Sequence, residues 1–326
     1  MDPMRLGFAV KVAARGDLPS NDARRFQNEP HLRVSIGYLR NIFAYLREQN
    51  ITMYRMSSDI APYSTHPDLP QFHGQIEECA GELAALGAEA REQGLRLSLH
   101  PSQFVVINSP DPGLVQKSVA DLVAQTAILD AMGLGPEAVV VLHVGGVYGE
   151  REASIARFIR AYEALPEAVR RRLVLENDDL RFSVGDVMSI HAATGVPLIY
   201  DYQHHMCLDR ERIPVGEALA AALGTWPAGV RPKIHFSTPR TEGKLMPRKN
   251  RKTGQTEEVL QGPIWTNHAD YVNPFEFANV LRTAPAAVFD VMLECKLKDV
   301  ALLRLRADLP RYAPDVAARF GLEGGR

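Results

Sequence analysis

The sequence predicts an α/β fold, a (β/α)8 TIM barrel in one domain spanning residues 1–326. Three observations lead there. Eight short runs of β-branched and aliphatic residues are bounded by turns, amphipathic helical patterns fill most gaps between them, and no linker-like stretch divides the chain. The runs are RLGFAV (5–10), ITMYRMSS (51–58), LRLSLH (95–100), AVVVLHV (138–144), RLVLEN (172–177), PLIYD (197–201), PKIHF (232–236) and FDVMLEC (289–295). Asp111-Pro112 starts the helix that continues through KSVADLVAQTAILDAMG. Ser183 with Asp186 makes a capping-box start for VGDVMSIHAATG, and Asn273-Pro274 opens EFANVLRTA. The segment ALLRLRADLPRYAPDVAARFG supplies the eighth helix and a short C-terminal tail. A doubly wound open sheet is the alternative arrangement of the same elements.

Composition narrows the class. With 46% hydrophobic and 23% charged residues, the chain can bury one large core. No apolar run reaches the roughly 18 residues of a membrane helix. The N-terminus lacks a charged region followed by an apolar stretch, so no signal peptide is expected. Cys79, Cys207 and Cys295 are odd in number, widely spaced and form no CxxC, which points to a reducing, cytoplasmic setting and away from a thiolate metal site. The net charge of −2 means that a nucleic-acid partner needs a local basic patch.

In such a barrel the chemistry lies at the C-terminal rim of the strands. The last residues of runs three to eight offer one potential metal ligand each, in order His100, His143, Glu176, Asp201, His235 and Glu294. One strand-end histidine is more often a satisfied polar residue than a ligand. Three imidazoles and three carboxylates converging on one rim would repel or stay unsatisfied without cations. Imidazole and carboxylate without thiolate suit Zn²⁺, Mn²⁺ or Fe²⁺. Six ligands exceed one tetrahedral site and fit two ions bridged by a carboxylate, with Glu176 a candidate bridge. His204 and His205 of YDYQHH, His268 of TNHADY and His66 of SDIAPYSTHP lie close to these runs and make a third ion possible. Multi-ion clusters of this kind serve phosphoester hydrolysis.

The stretches RLSLHPSQFVVINSP, VVLHVGGVYG, LVLENDDLRFSV, DYQHH, PKIHFS and the E-x-K of LECKLKD, taken in order over about residues 4–300, resemble the successive signatures of the UV damage endonuclease family. That family is a relative of endonuclease IV and of the xylose-isomerase-like barrels. The resemblance implies a repair endonuclease that nicks damaged double-stranded DNA immediately 5′ to pyrimidine dimers and other lesions, abasic sites among them. It implies two to three divalent ions, Mn²⁺ foremost with Zn²⁺ as an alternative, no nucleotide cofactor, no membrane and a monomer. Carried over by residue, one ion would be held by His100, His143 and Glu176, a second by Glu176, Asp201, His235 and Glu294, and a third by His204 and His268. Lys233 matches a position carboxylated in some relatives; it and His235 are two apart on a strand and share a face. The other reading of Lys233 is a cation offsetting nearby carboxylates. His66 matches a histidine near the cleaved phosphate, so Glu176, His66 and Lys233 become the catalytic candidates. His205 reads as a support behind the ligands or as packing, and His31, His73 and His191 as ordinary helix or loop residues.

Gln103 and Phe104 stand where relatives carry a Gln-Tyr pair that fills the gap left by an extruded dimer; an amide can bond an orphaned base edge and an aromatic can stack on it. Without the family, Phe104 would read as core packing. Two departures stand out. LGFAVKVA carries Phe8 and Val12 where relatives carry polar or tyrosine residues lining a lesion pocket. A long insertion, about residues 238–262, follows run seven, with six basic residues and one acid between Arg240 and Lys252. Arg248, Lys249, Arg251 and Lys252 are therefore expected to meet phosphates, the other reading being a solvated charge run. A sugar isomerase or epimerase with a two-metal centre on the same barrel is the second functional reading. It would need neither the basic insertion nor Gln103-Phe104.

Overall fold

The computed structural model describes residues 2–250, 253–285 and 287–322. All eight expected runs contain strands: β1 Leu6–Ala9, β2 Met53–Arg55, β3 Arg96–Ser98, β4 Val140–His143, β5 Leu173–Glu176, β6 Leu198–Ile199, β7 Lys233–Phe236 and β10 Asp290–Leu293. Each is shorter than its run because the flanking residues already turn toward loops. Two further strands, β8 Lys244–Lys249 and β9 Thr256–Gln261, form an antiparallel hairpin inside the insertion.

Parallel pairing orders β3-β2-β1-β10-β7 in one sheet and β4-β5-β6 in another. The isolated parallel bridges Leu99↔Val140 and Asp201↔His235 join the edges of the two sheets, so the pairing circuit of the eight strands closes on itself. The architecture is TIM-barrel-like. The strands β1, β5, β7 and β10 are buried at every residue, as strands covered on both faces must be. One apolar cluster extends from Met4 to Phe320 and includes Phe8, Tyr54, Leu97, Leu142, Leu175 and Phe236.

The helix starts follow their caps. Asp111 accepts from Gly113 N ahead of helix Pro112–Ala131, Ser183 and Asp186 form the capping box of helix Val184–Thr194, and Asn273 accepts from Phe275 N and Glu276 N. At the N-terminal end of the strands, Asp290 gathers cations. Its carboxylate accepts from Arg96 at 2.8 Å, from Arg5 at 3.2 Å and from Arg231 at 3.4 Å, and it also takes Arg5 N at 2.8 Å. Arg96 and Asp290 are both buried, which ties β3 to β10 across the barrel floor. Cys79, Cys207 and Cys295 are unpaired thiols. Among the described residues no helix is long and apolar enough to cross a membrane.

Candidate metal centre

Strand register brings the candidate ligands side by side. His143 at the end of β4 is level with Glu176 at the end of β5, and Asp201 is bridged to His235. Two groups of donor atoms lie within 4.8 Å of one another: His100, His143 and Glu176, and Glu176, Asp201, His235 and Glu294. Glu176 is fully buried and common to both. Its Oε2 faces His100 Nε2 at 3.0 Å and His143 Nε2 at 3.5 Å, whereas Oε1 faces His235 Nδ1 at 2.7 Å and His204 Nδ1 at 3.7 Å. Each oxygen thus serves a different group, as a bridging carboxylate requires. His235 Nδ1 also lies 3.3 Å from Glu294 Oε1.

His204 and His268 fall outside both groups. Their ring centres are 6.1 Å apart, and His268 Nε2 is 3.9 Å from Glu294 Oε2. Asp201 caps the short helix Tyr202–Cys207, a piece that the sequence reading lacks: its Oδ1 accepts from His204 N at 2.7 Å. Its Oδ2 is buried without a partner, as is His235 Nε2. Buried polar atoms left unpaired are costly, and a cation among these N and O donors would satisfy them. The donor set fits divalent ions.

The imidazoles are oriented from behind. His100 Nδ1 donates to the Pro101 carbonyl at 3.0 Å and His204 Nδ1 to the Asn177 carbonyl at 2.9 Å. A carbonyl can only accept, so each Nδ1 carries a proton, and His100 turns its other nitrogen, Nε2, to Glu176 Oε2. Charges are strongly coupled here. Burial pushes His100 down to about 4. Burial also opposes protonation of His204, yet Asp201, Glu176 and Glu294 push it up to about 9. Burial raises Asp201, with Glu176 and Glu294 adding to it and His204 opposing. Burial works against ionised Glu176 too, but His235 and His143 hold it well below the usual carboxylate range. Without a cation the cluster balances its charge by sharing protons, which a bound ion would displace.

Lys233 lies one turn of the pleat below His235. It is buried, and its Nζ has no hydrogen-bond partner. Burial, then Arg96 and Arg55, hold it well below the ordinary lysine range. Arg55, at the end of β2, is a residue that the sequence reading missed because it sought ligands and not cations. Its guanidinium bonds Glu294 Oε1 inside the cluster. A polar residue closing a strand was the available signal.

The cluster opens on a cavity of about 810 Å³ lined by His100, His143 and His204 together with Gln103, Phe104, Tyr148, Leu180 and Arg181. Gln103 is exposed and Phe104 is 74% exposed, so Phe104 is not core packing. Two rim loops are clasped together. Asn108 Nδ2 donates to Gly146 O at 2.8 Å, and its Oδ1 accepts from Gly146 N at 3.3 Å. Gly145 beside it has φ +112°, and a Cβ there would sit 2.4 Å from Asn108 Oδ1, so only glycine fits.

Other candidates lie elsewhere. His66 is exposed in the loop after β2, where Nδ1 accepts from Asp68 N; it is in neither ligand group. Phe8 is fully buried edge-on against Tyr54, a core position and not the open wall of a lesion pocket, because β1 is covered on both faces. His205 is buried and donates to Ile213 O, in keeping with packing. Arg248 and Lys249 are exposed on β8, while Arg251 and Lys252 lie outside the described residues. The hairpin register sets Glu257 opposite Arg248 and Glu258 opposite Pro247, acids beyond the stretch over which the basic run was counted. The hairpin stem is rooted on the rim by Arg240 N to Asn267 O, Ala269 N to Thr238 O and the bridge Pro239↔His268.

Comparison with known proteins bears on this arrangement. The family model described as UV-endonuclease UvdE matches residues 31–318. A UV DNA damage endonuclease from Bacillus cereus (strain G9842) is 31% identical over 281 residues, covering 85% of this chain and 81% of the relative. The crystal structure of SacUVDE superposes with a TM-score of 0.77 at 28% identity, over 94% of this chain and 98% of that one. Endonuclease IV from Thermus thermophilus (TM-score 0.55, 18% identity, 94% and 99% covered) and an L-ribulose 3-epimerase (TM-score 0.55, 16% identity, 98% and 91% covered) share the fold alone. A family model spanning most of the sequence and a relative above 30% identity over four-fifths of both chains establish that this chain belongs to the UV-endonuclease UvdE family.

Proposed function

We propose that the chain is a metal-dependent repair endonuclease that cuts duplex DNA at the phosphodiester 5′ to UV photoproducts, pyrimidine dimers foremost and abasic sites second. The carrying observation is the buried, doubly shared Glu176 at the rim, opening on a cavity whose lip bears exposed Gln103 and Phe104. The name of the Bacillus relative supports the same reading. A sugar epimerase would use a comparable cluster, but its likeness to this chain is one of fold, and it has no use for a solvent-exposed aromatic or a basic hairpin.

His100, His143 and Glu176 would hold one ion, Glu176, Asp201, His235 and Glu294 a second, and His204 and His268 a third, with Mn²⁺ the expected metal. When bound, such ions lower the pKa of water and polarise a phosphate. The protein's own part is orientation and charge. Glu176 keeps both oxygens ionised between two histidine sets. Arg55 holds Glu294 in place. Lys233, a buried amine whose proton is held weakly, would in its neutral form add CO2 and release a proton to become a carbamate, an anion that Arg55 and Arg96 would offset. His66 would contact the cleaved phosphate from the loop after β2. Gln103 and Phe104 enter the duplex, and Arg248 and Lys249, with Arg251 and Lys252, contact its backbone. The enzyme acts as a cytoplasmic monomer of one domain. End-labelled duplex carrying one dimer, incubated with the protein and Mn²⁺, should be nicked immediately 5′ to the lesion. An intact strand, or a cut unrelated to the lesion, overturns the reading.

A further inference from the structure

His268 differs from the other rim imidazoles in what holds it from behind. His100 and His204 each set Nδ1 against a main-chain carbonyl, whereas His268 Nδ1 lies 2.5 Å from the hydroxyl of Ser237. A hydroxyl can donate or accept, so on its own it leaves the ring free to take either tautomer. The neighbouring residues remove that freedom. Ser237 Oγ is 2.5 Å from Gln203 Oε1, and both residues are fully buried. Gln203 Nε2 donates to the Trp265 carbonyl at 3.0 Å. Turning the amide over would press its oxygen against that carbonyl oxygen, so Oε1 must face Ser237, where it can only accept. The single hydroxyl hydrogen of Ser237 therefore goes to Gln203. Ser237 Oγ is left to accept, and among the described residues the hydrogen that faces its other side is the one on His268 Nδ1.

We propose that Gln203 and Ser237 are positioning residues forming a relay that protonates His268 on Nδ1 and leaves the Nε2 lone pair turned toward Glu294 and the metal centre. The backbone of His268 is fixed separately, by the Pro239↔His268 bridge and by Ala269 N to Thr238 O. The relay sets the ring's chemistry and not its place. It also ties Trp265, just beyond the insertion, to a ligand candidate three residues later. The metal role of His268 rests on the function proposed above; the tautomer does not.

The two can be tested apart. Long-range ¹H–¹⁵N spectra of histidine-labelled, metal-free protein at mildly alkaline pH read which ring nitrogen carries the proton. In the wild type His268 should be protonated on Nδ1. In Gln203→Leu the hydroxyl loses its acceptor and donates to Nδ1, so the ring should switch to Nε2–H. Ser237→Thr keeps a hydroxyl and should behave as wild type, and Ser237→Ala, which leaves the amide anchored on Trp265, should lose the Nδ1 preference. Manganese titration then reads the consequence: the weakest-bound ion should dissociate about 10- to 100-fold more readily from Gln203→Leu and Ser237→Ala, and as in wild type from Ser237→Thr. A wild-type ring protonated on Nε2, or Nδ1 protonation unchanged in both Gln203→Leu and Ser237→Ala, overturns the proposal. The stated tautomers with ion binding identical throughout uphold the relay and sink the metal role of His268 instead.

Discussion

Removing the side chains of Gln103 and Phe104 should separate lesion handling from the metal centre. The loop that carries them is held by its neighbours: Val105 N bonds Ser102 O, Val106 N bonds Ser118 Oγ, and Val105 and Ile107 are buried. Gln103 and Phe104 point outward, so Gln103→Ala/Phe104→Ala should change fold stability by no more than about 0.5 kcal/mol per site. His100 keeps its bond to Pro101 O, so the bound ions should stay. Extruding a dimer costs a few kcal/mol of unstacking. Stacking of an aromatic ring on a base is worth about 1–3 kcal/mol, roughly a 5- to 150-fold effect. Single-turnover nicking of a duplex with one dimer should therefore fall by one to two orders of magnitude. On an abasic site no base resists extrusion, and the loss should be smaller. The assay compares wild type and double variant on both substrates, with metal content measured in parallel. Equal losses on the two substrates, or a fall in bound metal, would refute the reasoning and make the pair a support for the loop.

Three further outcomes are expected. Glu176→Gln should lose most nicking activity and also bound metal as measured by elemental analysis, since a neutral amide cannot bridge the two donor groups that share the carboxylate; unchanged metal content would exclude the bridge. Alanine at Arg248, Lys249, Arg251 and Lys252 should weaken binding to damaged and intact duplex alike and reduce the salt slope by up to about 0.9 per lost phosphate contact. An unchanged slope would make the hairpin a solvated arm. Asp290→Ala leaves Arg96 buried without its counter-ion and should cost about 3–5 kcal/mol of stability in urea titration; a loss below about 1 kcal/mol would show that the carbonyls around Arg96 suffice to hold it.

The clustered positions were legible because buried parallel strands read as apolar runs, and a polar residue closing such a run has few reasons to be there. His100, His143, Glu176, Asp201, His235 and Glu294 all follow from that contrast. The hairpin was not legible. Pro247 and the charges of β8 and β9 hide the alternation of a strand, and the proline is tolerated because a two-stranded arm is all edge. Counting charge only as far as Lys252 leaves out Glu257 and Glu258, which pairing brings back beside the basic strand. The position of Phe8 after LG suggests a pocket wall, whereas tertiary packing turns it onto Tyr54. Arg55 and the Gln203–Ser237 relay depend on contacts between residues far apart in the chain, which no local pattern encodes.

The clasp of Asn108 on Gly146 makes one unit of two loops that hang from different strands. A graft of the RLSLHPSQFVVINSP segment into a related barrel would carry Phe104 but not its aim, unless the VGG turn of the next loop came with it. Conversely, any side chain at position 145 would meet Asn108 Oδ1 and break the clasp, untying the loop of Gln103 and Phe104 with every residue of that loop unchanged. If Gln103 and Phe104 meet the lesion as proposed, the unit to exchange for a change of lesion preference is the pair of loops.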